Sequence, residues 1–439
     1  MHAQRSKGMR WGVAGHVGLA LLSITLLTGV RAASAAHLAL PPTGIVCTDG
    51  VLVGTTRTFT LMATTGYINA PDGNVLFMWG YAEAGKPFQH PSPVLCANEG
   101  ETVTVILNNA LGGDDVSIVF PGQEGVLANG VPAQPQFDGS GALVSLTDMA
   151  VRGGGSVTYS FTATRPGTFL YESGTDPDKQ VRMGLFGALL VRPAAGADFA
   201  FNRPDSQFGA GEEFMVLLSE IDPLQHQAVE SGTPFSMNNY RPRYWFVNGR
   251  GFPDSIADNG ASWLPSQPYG ALARVHPKPP GTLPETLPGM IRYLNVGTED
   301  FPFHPHGNNG LVIGRDGHPL EGAGGEDLSF EKFAINIGPG QTWDVIFRWW
   351  DAEGYTAANF PITVPNLTNL TLGMFYGGSP FLGTMEAMPP GVQTLNQCGE
   401  YYIISHNHAL HQLTAWGGVV MVGPITYLRI DPPLPNNCP

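Results

Sequence analysis

The sequence predicts an all-β chain made of two related β-sandwich halves, and three observations carry that reading. Glycine and proline are abundant, 57 and 38 residues among 439, which suits short strands joined by many turns and does not suit helical bundles. Several segments alternate apolar and polar residues with a period of two, the strand signature. The order of those segments in the first half of the chain recurs in the second. A chain of this length can bury two or three cores, and its 43% hydrophobic content excludes wholesale disorder.

The chain opens with Arg5, Lys7 and Arg10, then an apolar run densest at 17–27, then Ala33-Ser34-Ala35-Ala36. These are the charged region, apolar core and small-residue cleavage site of an export signal. Residues 1–36 are therefore expected to be removed after Ala35 or Ala36. The rival reading is a retained anchor, close to spanning length but interrupted by glycines and His16. No other segment has the length and apolarity of a membrane span. Export to the periplasm or the exterior means an oxidising compartment, in which Cys47, Cys96, Cys398 and Cys438 form two disulfides with three connectivities open. The chain carries 22 basic and 36 acidic residues. Arg5, Lys7, Arg10 and Arg31 belong to the signal, so the body is more acidic still, and a nucleic-acid partner is excluded.

Strands follow in order. Thr102-Val103-Thr104-Val105-Ile106-Leu107 alternates and ends on Asn108-Asn109, a turn signal. The segments 156–161 and 341–347 alternate likewise. The first half reads GETVTVILNN, VSIVFPG, GGGSVTYSF, GTFLYESG and GLFGALLV; the second reads PGMIRYLNVG, FPFHPHG, GPGQTWDVIF, GEYYIISHNH and GGVVMV. A repeat this long means two homologous domains, not a solenoid. The boundary falls after Val191-Arg192-Pro193, giving domains at 40–193 and 205–439, with 194–214 read as a linker rich in Ala, Gly, Asp and Pro. The extra length of the second domain sits in 251–286 and 357–397, read as long loops.

Two His-x-His pairs carry the candidate chemistry: His304-Pro305-His306 and His406-Asn407-His408. Residues i and i+2 of a strand share a face, so each pair offers two imidazoles side by side, an arrangement suited to a metal ion. The alternative is a set of histidines hydrogen-bonded in a polar interface. No Gly-x-Ser-x-Gly, phosphate-binding loop or paired-carboxylate motif is present.

The run PSPVLCANEGETVTVILNN, GTFLYESG, GLFGALLV, YWFVNGRGFP, FPFHPHG, IGPGQTWDVIF, GEYYIISHNH resembles a multicopper oxidase over roughly 60–423. The resemblance implies cupredoxin-like Greek-key β-sandwich domains, copper held where domains meet, and, for a two-domain layout, assembly as a homotrimer. The family's copper motifs match only in part. The first His-x-His-Gly place reads Val119-Phe120-Pro121-Gly122, and the second His-x-His place reads Tyr171-Glu172-Ser173-Gly174, without histidine. The third reads Phe301-Pro302-Phe303-His304-Pro305-His306-Gly307, so Phe301 replaces a type 1 copper histidine while two cluster histidines remain. The fourth reads His406-Asn407-His408, with Asn407 replacing the cysteine thiolate. His411 stands one residue short of the last type 1 position, which is Gln412.

A blue-copper site needs a thiolate and two imidazoles, so a type 1 site is expected to be absent and an ordinary laccase reaction with it. His304, His306, His406 and His408 are expected to hold one copper, or zinc, ion; Glu172, from the first domain or a neighbouring subunit, and His411 are additional ligand candidates. Met374, Met385 and Met388 could contact a soft ion, or simply fill space. Three function classes remain: an oxidoreductase using a reduced copper site, a copper-binding protein without turnover, and a copper-free scaffold or envelope protein. The substrate is not legible.

Overall fold

Alternation in sequence becomes alternation in burial. Along Thr102–Asn109, Val103, Val105 and Leu107 are fully buried while their neighbours are half exposed, as a strand with one face on a core requires. The computed structural model describes residues 41–276, 287–306, 309–348, 362–364, 394–396, 401–415, 421–431 and 438. The expected export signal, Cys398, Met374, Met385, Met388 and most of 357–397 lie outside them.

The principal strands of the first half are β1 (Thr56–Asn69), β2 (Val75–Glu83), β3 (Val94–Asn98), β4 (Thr102–Asn109), β5 (Ser156–Thr162), β6 (Gly167–Glu172) and β7 (Phe186–Arg192). Those of the second are β8 (Glu213–Ile221), β9 (Tyr244–Val247), β10 (Ala273–Val275), β11 (Gly289–Asn295), β12 (Phe301–Pro305), β13 (Gly310–Arg315), β14 (Ile335–Ile337), β15 (Thr342–Phe347), β16 (Tyr401–Asn407) and β17 (Ile425–Ile430). In the first half, β1 pairs parallel with β4, and β5 pairs antiparallel with β4. In the second, β8 pairs parallel with β11, and β15 antiparallel with β11. The opposing sheets match too: β3 runs parallel to β7 and β7 antiparallel to β6, while β10 runs parallel to β17 and β17 antiparallel to β16. Beyond β16 the second half continues through β12 to β14. The sequence repeat is thus a repeat of pairing, and among the described residues no sheet joins strands of both halves.

Each half closes on its own core, around Phe59, Leu61 and Tyr159 in the first and around Val216, Phe301, Phe303 and Leu428 in the second. A third cluster bridges them, with Val94, Leu170 and Leu190 of the first half against Met215, Leu217 and Leu294 of the second. Apolar sheet faces that meet in this way bury surface that neither half could bury alone. At one end of the seam the backbones touch. A side chain on Gly167 would stand 2.8 Å from the Gly317 Cα, and one on Gly317 would strike the Phe169 ring. Both have positive φ, so only glycine fits.

A charged network crosses the same seam. Arg292 lies between Glu213 (2.6 Å) and Asp344 (3.0 Å) and donates to Thr168 Oγ1 (2.8 Å), while Arg192 meets Glu213 at 2.5 Å. The stretch 194–214 is not a loose linker. Phe201 and Phe208 are buried against Met290, Ile313 and Ile346, and β8 begins at Glu213. Two short helices flank the seam, α1 (Pro177–Met183) and α2 (Pro223–Ser231). Asp222 caps α2 by accepting from the Leu224 N–H. Cys47 is bonded to Cys96, and Cys438 is also in a disulfide. Among the described residues no helix is long and apolar enough to cross a membrane.

Candidate metal centre

The register of β12 against β16 builds the site. His304 lies directly opposite His406, Phe303 opposite Asn407 and Pro305 opposite Ser405. Directly opposed residues share a face and neighbours along a strand alternate. One face therefore carries His304, His306, His406 and His408, and the other carries Phe301, Phe303, Ser405 and Asn407. The second set is buried at 0–1% exposure. The histidine face is half exposed to exposed, and its ring centroids lie 4.6 to 5.7 Å apart.

Main-chain carbonyls fix the tautomers. His304 Nδ1 lies 2.5 Å from the Phe333 carbonyl, and His406 Nδ1 lies 2.8 Å from the Asn407 carbonyl. A carbonyl only accepts, so each Nδ1 carries the proton and each Nε2 a lone pair, an assignment made from the hydrogen-bond network. His306 Nε2 stands 2.9 Å from His406 Nε2. Burial, and the nearness of His406, His304 and His408, push His306 below the ordinary histidine value. Burial also lowers His406, against the Asn407 carbonyl and with His304 and His408. Both rings are thus neutral at pH 7, the form that ligates.

The donor set fits an imidazole-bound ion. Metal–imidazole distances are about 2.0–2.1 Å, so two ligands of one ion are at most about 4 Å apart, and the His306–His406 pair satisfies that. Among the described residues no three His, Cys, Asp or Glu side chains stand arranged around a common ion position. Completing the ligation requires the His304 or His408 ring to turn. Carbonyls that accept from the far ring nitrogen, as those of Phe333 and Asn407 do, are what orients a histidine for a metal; a main-chain carbonyl has no sequence signature, so nothing in the sequence points to Phe333.

The positions of the type 1 site do not fit copper. Phe301 is fully buried in the core. Asn407 Nδ2 donates to Gln412 Oε1, and Gln412 Nε2 donates to Glu299 Oε2 (2.7 Å) and the Asp300 carbonyl (3.1 Å). Trp245 Nε1 meets the same Glu299 oxygen at 3.0 Å. His411 also turns to Glu299, at 3.3 Å, and rests edge-on against Trp245. Glu299 is the acceptor that anchors this network.

Glu172 occupies the counterpart of His406. The bridge between Val119 and Glu172 in the first half corresponds to that between His304 and His406 in the second. Burial lifts the Glu172 carboxyl, and its charge acts on Tyr81. Among the described residues no hydrogen bond joins its carboxylate to any of the four histidines.

The molecule was compared with known proteins. A sequence model of the family described as multicopper oxidase matches residues 84–196. An L-ascorbate oxidase of Cucurbita maxima is 28% identical over 306 residues, 64% of this chain and 46% of that protein. The iron transport multicopper oxidase fetC of Epichloe festucae (strain E2368) is 38% identical over 152 residues, 35% of this chain and 21% of that protein. The chain spans about half the length, or less, of such curated relatives. Among solved structures, the multicopper oxidase mgLAC superposes with a TM-score of 0.55 at 20% identity, covering 86% of both chains. A blue copper oxidase from Nitrosomonas europaea gives 0.52 at 17% identity, covering 85% of this chain and 86% of that one. The structural likenesses speak to the fold, and the sequence matches cover part of the chain, which is similar to multicopper oxidases over residues 84–196 by the family model and over 306 residues by the ascorbate oxidase.

Proposed function

We propose that this chain is an exported, multicopper-oxidase-like protein that binds one copper ion, or zinc, through His304, His306, His406 and His408, and that it does not work as an ordinary laccase. The observation that carries the reading is the 2.9 Å approach of His306 Nε2 to His406 Nε2 on a face where His304 and His408 also stand. Four imidazoles without a thiolate suit copper or zinc. Copper bound there would supply one-electron redox chemistry. The chain's own part is to present the ligands, to hold two tautomers through the Phe333 and Asn407 carbonyls, and to keep the site open to solvent. Phe301, Asn407 and Gln412 leave no buried copper site to pass electrons inward, so an electron donor would have to reach the histidine face itself. Domains at 40–193 and 205–439, export to the periplasm or exterior, and a homotrimer in which Glu172 of one copy approaches the histidines of another belong to the same reading.

Metal analysis after loading with excess copper and dialysis tests it. The wild type should retain about one ion per chain without the intense blue absorbance of a copper–thiolate bond. His306→Ala with His408→Ala should lose the ion, and His411→Ala should keep it. Equal, sub-stoichiometric metal in the wild type and the double variant would leave the copper-free scaffold as the function.

A further inference from the structure

Away from the histidine face, a cleft of about 420 Å³ opens at the seam of the two halves, between the start of β2 and helix α2. That volume lies in the range of small-molecule sites, which favour such seams. Its apolar lining includes Leu76 and Phe77 from β2 and Leu224 from α2, with the Tyr244 ring beside them. Most of its polar groups are already engaged. The Tyr244 hydroxyl donates to Asp72 Oδ2 and accepts from Asn74, both at 2.8 Å. Arg243 also has a partner.

Glu230 differs. It sits in the last turn of α2 and is exposed. Its Oε1 accepts from the Tyr67 hydroxyl at 2.5 Å, and a carboxylate has further lone pairs on its other oxygen. Two features add negative potential to that charge: the carbonyl end of a nine-residue helix, and the Asp72 carboxylate behind Tyr244. A carboxylate and two aromatic rings above an apolar floor form a setting for a positive charge attached to an apolar body.

We propose that this cleft binds a small apolar amine, its ammonium group on Glu230 and its body against Phe77, Leu76, Leu224 and the Tyr244 ring. The excess of acidic over basic residues, 36 to 22, draws such cations to the protein. The site uses no residue of the metal centre and does not depend on it.

Calorimetric titration of the full chain with 2-phenylethylamine tests the assignment, with a chelator present so that no ion at the histidines contributes. The anion 3-phenylpropionate, with the same phenylethyl body, serves as control. The amine should bind saturably and more weakly as salt rises, and the anion should not. Glu230→Gln should weaken the amine roughly five- to tenfold, as expected for a partly exposed charged contact. Tyr67→Phe frees Oε1 and should leave binding equal or tighter. Equal binding of the anion, unchanged amine affinity in a folded Glu230→Gln variant, or no saturation up to millimolar amine would each overturn the proposal.

Discussion

Replacing Arg292 by Met should cost about 3–5 kcal/mol, because it breaks a buried ion pair from one side. Arg292 is 2% exposed and Asp344 is fully buried. Glu213 keeps Arg192 at 2.5 Å after the change, but Asp344 keeps only the Thr168 hydroxyl on Oδ1, and its Oδ2 already has no partner. The loss thus falls on Asp344. Burial lifts its carboxyl and Arg292 only partly offsets this, so the variant will tend to protonate it. A carboxyl raised in the folded state contributes stability below its unfolded value that is lost as pH rises. The cost of Arg292→Met should therefore be larger at pH 8 than at pH 5. Urea unfolding, followed by midpoint and slope, measures it. Adding Asp344→Asn to Arg292→Met removes the stranded charge and should restore part of the loss. A cost under about 1 kcal/mol, or a double variant weaker than the single one, would show that the network is not what holds the seam.

Two further outcomes follow from buried polar contacts elsewhere in the second half. His276 lies between Glu212 (3.0 Å) and Asp431 (3.3 Å), and hydrogen bonds to Asp431 and Glu212 raise it to about 9. Burial lifts Glu212, whereas Asp431, despite burial, is held low by His276, Arg429 and Arg274, so Asp431 is the stronger partner. The pairing is fully present below about pH 6.5 and is lost as pH rises through about 9. Discounted for solvent, it is worth about 1–2 kcal/mol, and His276→Gln should flatten the fall in melting temperature between pH 6 and pH 10. Asn407→Leu leaves the buried Gln412 Oε1 without its donor and should cost about 1–2 kcal/mol in urea unfolding. Since Asn407 faces the core, bound copper or zinc should not change.

Legibility in the sequence tracked how each strand is buried. Strands with one covered face, such as β4 and β5, alternate in sequence and are read directly. Strand β8 is buried along its whole length, because Val216 and Leu218 face one core while Met215 and Leu217 face the seam. A strand covered on both faces has no period, and its first residues read as the end of a linker. The segment before it hides its anchoring for a related reason. Its composition is that of a loop, and only Phe201 and Phe208 show that it is anchored. In the long β1–β2 hairpin only the first part of β1 alternates as β4 does, while β2 is buried at five successive residues and has no clear period.

Residue spacing reads the candidate site as two histidine pairs, and only the family resemblance joins them into one, because spacing along a strand says nothing of register between strands. That register, His304 against His406, also links the residues that stand where the resemblance expects type 1 ligands. The face that turns the four histidines outward turns Phe301 and Asn407 inward. A cysteine removed alone would leave polar ligands facing a hole. In this chain Phe301 fills the core, Asn407 is bonded to Gln412, and Gln412 to Glu299. His411 points to the same carboxylate. Restoring a thiolate at 407 by itself would supply one ligand of three and would break the bond to Gln412, so Asn407→Cys alone cannot regenerate blue copper. The network crosses more than a hundred residues of sequence, from Glu299 to Gln412, so the sequence shows which residues stand at the expected ligand positions but not what they bond to.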